Sequence, residues 1–320
     1  MDRISVEALV ELTNICPNGV LQNVSLSKIS KWGVGGNADV LICPSTSQQL
    51  SNLRRWFYLN DIHHLTIGST SNLLFPDEGV RAPCVQLGRC LSQVTVEEDI
   101  VYAQAGVWVP SLARRLMQAG LTGGEHICGI PGTLGGLVCM NGGSQRKGIG
   151  SNIESIESVD PTGDIVVRSA IDCGFSYRTS IYQKNNEVIT SVKMKFKNGL
   201  HSNIRKDMLA ILAERSRKFP RKLPNCGSVF KSNPAMYAEI GPPGLAIEKL
   251  GFKGKKQGGA QVSPQHANFI VNTGGATASD ILKLISLISK KVRDRTGYYM
   301  EPEALYVRPD GKVVPIDSYL

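Results

Sequence analysis

None of the eight cysteines in this 320-residue chain belongs to a C-x-x-C pair. Cys16, Cys43, Cys84, Cys90, Cys128, Cys139, Cys173 and Cys226 are scattered instead. In a chain of this size that excludes a disulfide framework and a zinc site, and they read as reduced, mostly buried small apolar residues. The five histidines offer no H-E-x-x-H or similar spacing, and the adjacent His63 and His64 point apart on a strand, so no metal is expected. No apolar run approaches the roughly 20 residues that span a bilayer. The N-terminal MDRISVEALVELTN alternates acidic and apolar residues and lacks the basic-then-apolar layout of a signal peptide. It reads as a short amphipathic helix, and the chain as cytoplasmic, with no membrane partner. There are no repeats and no low-complexity linkers. No G-x-G-x-x-G opens a helix, and GVGG at 33–36 is too short and wrongly followed, so a Rossmann dinucleotide site is not supported.

Aromatic residues make up only 6% of the chain, and the net charge of +9 comes from 36 basic and 27 acidic residues. A nucleic-acid binder gathers such an excess into a patch interleaved with aromatics, and no such patch is present. Arg54-Arg55, Arg114-Arg115 and Lys290 to Arg295 fall on predicted helices as solvated faces. Arg215 to Lys222 and Lys253 to Lys256 flank Gly- and Pro-rich loops, which points to an anionic small molecule such as a nucleotide or nucleotide sugar. Hydrophobic content of 42% is that of a globular protein, and the length calls for two or three domains.

Periodicity predicts strands at 39–43, 64–67, 84–88, 93–97 and 101–105, with helices at 46–60 and about 109–119, the latter stopped by Gly120. Strands at 154–160 and 164–169 are joined by the turn PTGD, and another runs over 188–196. A helix over 202–218 follows, then a short one in GPPGLAIEKLG. GGAQVSPQHANFIVN reads as a loop and strand. Ile281, Leu284, Ile285, Ile288 and Val292 stripe a helix over 279–295, with Thr277 and Asp280 as its cap signal. The chain divides into two α+β parts, a larger ligand-wrapping one to about residue 199 and a smaller one after it.

Three loops carry candidate chemistry. GSTSN at 68–72 offers backbone N–H groups for a pyrophosphate nest, with the Ser69, Thr70 and Ser71 hydroxyls as further donors; a plain surface turn is the competing reading. The glycine-rich 123–143, GGEHICGIPGTLGGLVCMNGG, holds Ile130, Leu134, Leu137, Val138 and Met140, so it reads as a packed irregular loop against a cofactor rather than a linker. PNCGSVFKSNP at 224–234 is a turn that holds the Ser228 hydroxyl beside Gly227.

Taken in order, WGVGGNAD, GSTSNLLFPDEG, GIPGTLGGLVCMNGG, FSYRTSIY, PNCGSVFKSNP, GGAQVSPQHANFIVN and EPEA resemble the UDP-N-acetylenolpyruvoylglucosamine reductase (MurB) family over about residues 27–307. The resemblance implies an α+β fold. A PCMH-type (vanillyl-alcohol-oxidase-like) FAD-binding domain would span 27–199, in subdomains of about 27–80 and 81–199, and a smaller substrate-binding domain 200–307. It implies FAD as cofactor and NADPH as reductant. The activity it implies is reduction of UDP-N-acetylglucosamine enolpyruvate to UDP-N-acetylmuramate in peptidoglycan precursor synthesis, by a monomer whose partner is the nucleotide sugar.

Matched residue by residue, the resemblance assigns FAD contacts to Gly68, Ser69, Thr70, Ser71, Asn72 and Leu73. It assigns more to Gly129, Ile130, Pro131, Gly132, Thr133, Gly135 and Gly136, with Asn141 and Gly142 closing that loop. It makes Arg178 the partner of the substrate carboxylate, Ser228 the proton donor and Glu303 the glutamate that completes the site, with Tyr177, Lys218, Asn233 and His266 as further substrate contacts. These types suit the reaction. Charge gathering on the carboxylate is neutralised by an arginine fork, a glutamate in a dry pocket retains its proton, and a fixed hydroxyl protonates the alpha carbon.

The chain departs from the family pattern in places. Its usual GGGSN stretch is Gly68-Ser69-Thr70-Ser71-Asn72, which demands ordinary φ angles or local strain. Cys226 replaces a common Ala, Ser232 is an extra residue before Asn233, and Ala304 stands where Val is usual. No tyrosine-bearing capping segment lies between Tyr177 and Lys218, so the chain resembles the shorter type. A paralogue reducing a related nucleotide-sugar enol ether for surface polysaccharide fits these features too. A non-catalytic flavin- or UDP-sugar-binding protein is a third reading, opposed by the joint presence of Arg178, Ser228 and Glu303.

Overall fold

The computed structural model describes residues 4–319. Residues 1–3 of the expected N-terminal helix lie outside them, and the helix itself runs Val6–Ile15, with the Ser5 side chain accepting the Ala8 N–H at its start. No helix among the described residues is long and apolar enough to cross a membrane. Of the cysteines, Cys16, Cys84, Cys128, Cys173 and Cys226 are buried, and Cys90 is exposed.

A four-stranded sheet comes first, in the order Val20–Ser25, Asn37–Ile42, Cys84–Gln86, Leu65–Ile67. Its first pair is antiparallel, and the other two contacts are parallel. The helix Ser47–Leu59 makes the crossover that parallel pairing requires, capped by the Thr46 hydroxyl. A five-stranded antiparallel sheet follows, ordered Ile165–Ser169, Ile153–Val159, Val188–Lys195, Ile100–Gln104, Val94–Glu97. One of its faces packs with the helices Ser47–Leu59 and Val109–Gln118 into a core that includes Leu50, Phe57, Val101, Leu112, Ile156 and Met194. Ile204, Met208 and Ile211 tie the long helix His201–Lys218 to the same core.

The helix Ala278–Thr296 anchors the C-terminal part. Thr277 and Asp280 form the expected capping box, and Gly297 closes the helix in the left-handed region at φ 73°. Its apolar stripe packs on the sheet Lys256–Gln257, Ala260–Val262, Ile270–Asn272, which has two strands where the sequence predicts one in GGAQVSPQHANFIVN. Trp32, Val34 and Leu74, from far earlier in the chain, are buried in this second core. The Trp32 indole N–H donates to the Ile270 carbonyl at 2.8 Å, and the Asn272 amide donates to the Trp32 carbonyl at 3.0 Å. The last sheet pairs Leu305–Val307 with Val313–Pro315 and, in parallel, with Leu73–Leu74. This short parallel contact places the end of the GSTSN loop beside the EPEA segment.

The glycine-rich stretch is not wholly irregular as expected: Leu134–Cys139 is helical. A Cβ at Gly135 would stand 3.0 Å from that of Ala105, so a small residue lets this turn lie against the strand end. The Gly135 and Leu134 N–H groups donate to the Ala105 and Val107 carbonyls.

Candidate active site

The two glycine-bearing loops face each other. A Cβ on Gly68 would lie 2.4 Å from Thr133 Oγ1, so only glycine allows this approach. Between Ser69 and Ser71, Thr70 takes φ 57°, so the substituted glycine loop is strained at one residue rather than relaxed throughout. The buried Thr70 is held there by its hydroxyl, which donates to the Ile29 carbonyl at 2.8 Å. The neighbouring Ser69 Oγ is buried and has no hydrogen-bond partner. A buried hydroxyl left unpaired is unfavourable unless a ligand atom completes it. The loop therefore fits a phosphorylated cofactor such as FAD.

Both loops line a cavity of about 1190 Å³. Gly68 to Leu73, Gly129 to Thr133, Gly136 and Gly142 form part of its wall, and Arg178, Ser228 and Glu303 reach the same space from three remote segments. Arg178 sits in a tight turn closed by reciprocal Ser176 and Thr179 backbone bonds of 3.1 Å, and its own φ is 55°. Three side chains pin that turn to the end of the glycine-rich segment. The Asn141 amide donates to the Ser176 carbonyl at 2.8 Å, the Gln183 amide donates to the Arg178 and Cys139 carbonyls, and the Ser180 hydroxyl donates to the Cys139 carbonyl.

Ser228 is set by its neighbours. Cys226, fully enclosed, rests its Sγ against the Thr70 and Leu73 carbonyls, which ties the serine turn to the first glycine loop. Burial drives its thiol well above the ordinary range, so it stays neutral. On the other side the Asn268 carboxamide both accepts from the Phe230 N–H and donates to the Phe230 carbonyl, each at 3.0 Å. The Val229 carbonyl accepts the Glu303 N–H at 2.7 Å, and the Asn72 amide donates to the Glu303 carbonyl at 3.0 Å. One hydrogen-bonded ladder thus carries Asn72, Val229 and Glu303.

Arg178 Nε lies 2.9 Å from Glu303 Oε1, an ion pair without hydrogen-bond alignment. Burial raises the Glu303 carboxyl above the usual range, against the opposing pull of Arg178 and Lys231. Its proton is therefore held more tightly than on an exposed glutamate.

Six residues implied by the resemblance do not line this cavity. Gly135 packs on Ala105, and Asn141 faces the Arg178 turn. Tyr177 is 67% exposed and lays its ring toward the Arg178 guanidinium. Lys218 points to solvent, paired with Glu214 one helical turn back. Asn233 caps the short helix Pro234–Glu239 through the Ala235 N–H. His266 packs tilted against Phe219 and edge-on to Phe269, where burial lowers its pKa.

The sequence reading pointed to the basic run from Arg215 but missed the rest of one wall: Arg205, Met208, Leu209 and Leu212 of the long helix also face the cavity, joined by Phe219 beyond its end. Their spacing of three and four residues was the available signal. Trp108 also lines the cavity, with the Lys31 ammonium 5.1 Å from its ring centroid.

Residues 38–169 match the description of an FAD-binding domain, and residues 219–307 that of the UDP-N-acetylenolpyruvoylglucosamine reductase C-terminal domain. The chain is 42% identical over 292 residues to UDP-N-acetylenolpyruvoylglucosamine reductase 1 of Corynebacterium glutamicum, covering 91% of this chain and 87% of that one. It belongs to the UDP-N-acetylenolpyruvoylglucosamine reductase family. The reductase of Caldanaerobacter subterraneus is 36% identical, with 93% and 97% covered. The crystal structure of UDP-N-acetylenolpyruvylglucosamine reductase (MurB) from Thermus caldophilus superimposes with a TM-score of 0.75 at 28% identity, covering 90% of this chain and 97% of its own. The fold is thus α+β, with an FAD-binding domain and a smaller reductase-family C-terminal domain.

Proposed function

We propose that this member of the reductase family is an FAD-dependent oxidoreductase that reduces UDP-N-acetylglucosamine enolpyruvate to UDP-N-acetylmuramate in peptidoglycan precursor synthesis, with NADPH as electron donor. The observation that carries this reading is the meeting of Arg178, Ser228 and Glu303 on the wall of the cavity that both glycine loops line. Its volume of about 1190 Å³ exceeds the roughly 300–1,000 Å³ usual for one small ligand, as a cofactor and a substrate together require.

Gly68 to Leu73 and Gly129 to Thr133 would hold FAD, with Ser69 Oγ as a donor. FAD, when bound, supplies the hydride. The chain's own residues do the remainder. Arg178 presents a planar fork to the substrate carboxylate, where charge accumulates as the double bond is reduced. Glu303, whose pKa burial raises above the usual range against the pull of Arg178 and Lys231, adds a hydrogen-bond donor to that group when it carries a proton. Ser228 Oγ delivers a proton to the carbon bearing the carboxylate. The ladder through Val229 keeps this hydroxyl in register with Glu303, so donor and carboxylate clamp share one frame.

The experiment is spectroscopic. Purified protein should be yellow, its flavin band should bleach with NADPH, and the band should return without oxygen on addition of UDP-N-acetylglucosamine enolpyruvate. A protein that bleaches but is not reoxidised by that compound is a reductase of something else.

A further inference from the structure

Residues 229–231, which follow Ser228, are held along two edges of unlike kind. On one edge residues 301–303 pair with them as a strand would. The Glu303 N–H donates to the Val229 carbonyl at 2.7 Å, the Lys231 N–H donates to the Glu301 carbonyl at 2.9 Å, and Phe230 bridges Pro302. On the other edge the partner is a turn. Ala260–Val262 and Ile270–Asn272 pair with each other, and the chain reverses between them, with the Ser263 N–H donating to the Phe269 carbonyl. One residue of that turn, Asn268, serves the whole edge. Its carbonyl accepts the Val229 N–H at 2.8 Å, and its carboxamide satisfies both the N–H and the carbonyl of Phe230 at 3.0 Å.

The two Phe230 bonds fix the carboxamide's orientation, because an N–H needs its oxygen and a carbonyl needs its NH₂. Asn268, Val229 and Phe230 are all buried, so the same backbone groups would lack partners without that side chain. On the other side of Ser228, Gly227 takes φ 82° and has no atom within 4 Å of where a Cβ would stand. That side is tied only through the Gly227 N–H, which donates to Asn225 Oδ1, and through the Cys226 thiol. The direction of the serine is therefore set from residues 229 and 230. We propose that Asn268 is a positioning residue for the reduction, standing in for a strand so that Ser228 presents its hydroxyl in one direction. It is not on the cavity wall, so it acts through the backbone and touches no ligand. The inference deepens the proposed function and rests on it for the role of Ser228.

The test uses Asn268→Ala and Asn268→Asp as flavin-loaded protein, with stopped-flow absorbance separating the two half-reactions. Asn268→Ala should slow the limiting rate of reoxidation by the enolpyruvyl sugar about ten- to a hundredfold, as a small misplacement near reacting atoms does. Reduction by NADPH should stay within about threefold, since that step uses no proton from Ser228. Asn268→Asp has the shape of the native residue. Protonated, it offers one donor and one acceptor and reproduces the carboxamide; ionised, it sets an acceptor against the Phe230 carbonyl. Burial raises such an acid above its ordinary value of about 3.9. Its reoxidation rate, divided by that of wild type at each pH, should be near one at about pH 5 and fall about tenfold or more by about pH 9. The ionisable groups around the position are the His266 ring, whose Nδ1 accepts the Asn268 N–H, Glu303, and the Lys231–Glu301 and Lys253–Glu248 pairs. Wild type shares them all, so the ratio isolates the new acid. For Asn268→Ala the same ratio should be low and flat.

A ratio for Asn268→Asp that does not change with pH overturns the inference. So does a decline shared equally by reduction with NADPH, which would mark general loosening of the fold. If Asn268→Ala does not fold, the ratio for Asn268→Asp decides alone. A wild-type protein that the enolpyruvyl sugar does not reoxidise overturns the proposed function and this inference together. A wild type that is reoxidised, with both variants following it within about twofold, overturns this inference only.

Discussion

The Glu303 N–H donates to the Val229 carbonyl at 2.7 Å, one residue beyond Ser228. This bond joins segments more than 70 residues apart and gives the proposed proton donor and the carboxylate clamp a common backbone reference. A positioned general acid contributes roughly 10²- to 10⁴-fold. Ser228→Ala should slow flavin reoxidation by the enolpyruvyl substrate by about that factor and leave reduction by NADPH nearly unchanged, as stopped-flow absorbance reads directly. Cys226→Ala, which trims the same turn and keeps the hydroxyl, should cost about 1 kcal/mol of stability instead. Wild-type reoxidation in Ser228→Ala would exclude this serine as the acid.

Arg178→Lys keeps the charge but loses the fork. A large drop in reoxidation by substrate is expected, with a smaller one in reduction by NADPH. Equal losses in both half-reactions would assign Arg178 to folding or flavin binding.

Asn141 holds the Arg178 turn through Ser176 rather than lining the cavity. Asn141→Ala should therefore slow reoxidation by about ten- to a hundredfold, the scale of a small misplacement near the reacting atoms, while flavin content is unchanged. A variant that sheds its flavin and reoxidises normally would return Asn141 to the cofactor loop.

His64 stacks on Phe57 with ring centroids 4.2 Å apart, and its Nε2 accepts from Arg54 Nη1 at 3.2 Å. Burial and the Arg54 charge push its pKa down from 6.5 to about 3. The unfolded chain binds a proton near pH 6.5 that the folded one refuses until about pH 3. The stability contributed by neutral His64 is thus complete above pH 6.5 and is lost as the pH falls toward 3. Denaturant melts at pH 7.5 and 5 should show the decline, and His64→Leu should flatten it. An unchanged slope in His64→Leu would assign the acid sensitivity to other groups.

Local patterns placed most of the frame. The stripe from Ile281 to Val292 and the Thr277–Asp280 cap are legible because a helix buries one face at a fixed period and needs a partner for its first N–H groups. PTGD marked a hairpin for the same local reason. The short helix Leu134–Cys139 was not legible, because glycines that disfavour an isolated helix are here selected by contact with Ala105. For the site, the order of the motifs named the family and the residues worth watching. It did not say which of them meet. Asn141, Lys218 and His266 are turned elsewhere by bonds to Ser176, to Glu214 and to an aromatic cluster, partners that no motif spacing encodes. Arg205 and Arg215 enter the cavity because their helix packs Ile204, Met208 and Ile211 inward, which turns the adjacent stripe toward the ligand space. Sequence by itself determined the element types and the chemical inventory, since both depend on neighbours within a few residues. Only tertiary packing decided which charges are paired, which hydroxyl is left without a partner, and where Ser228, Arg178 and Glu303 converge, because each of those is set by residues distant in the chain.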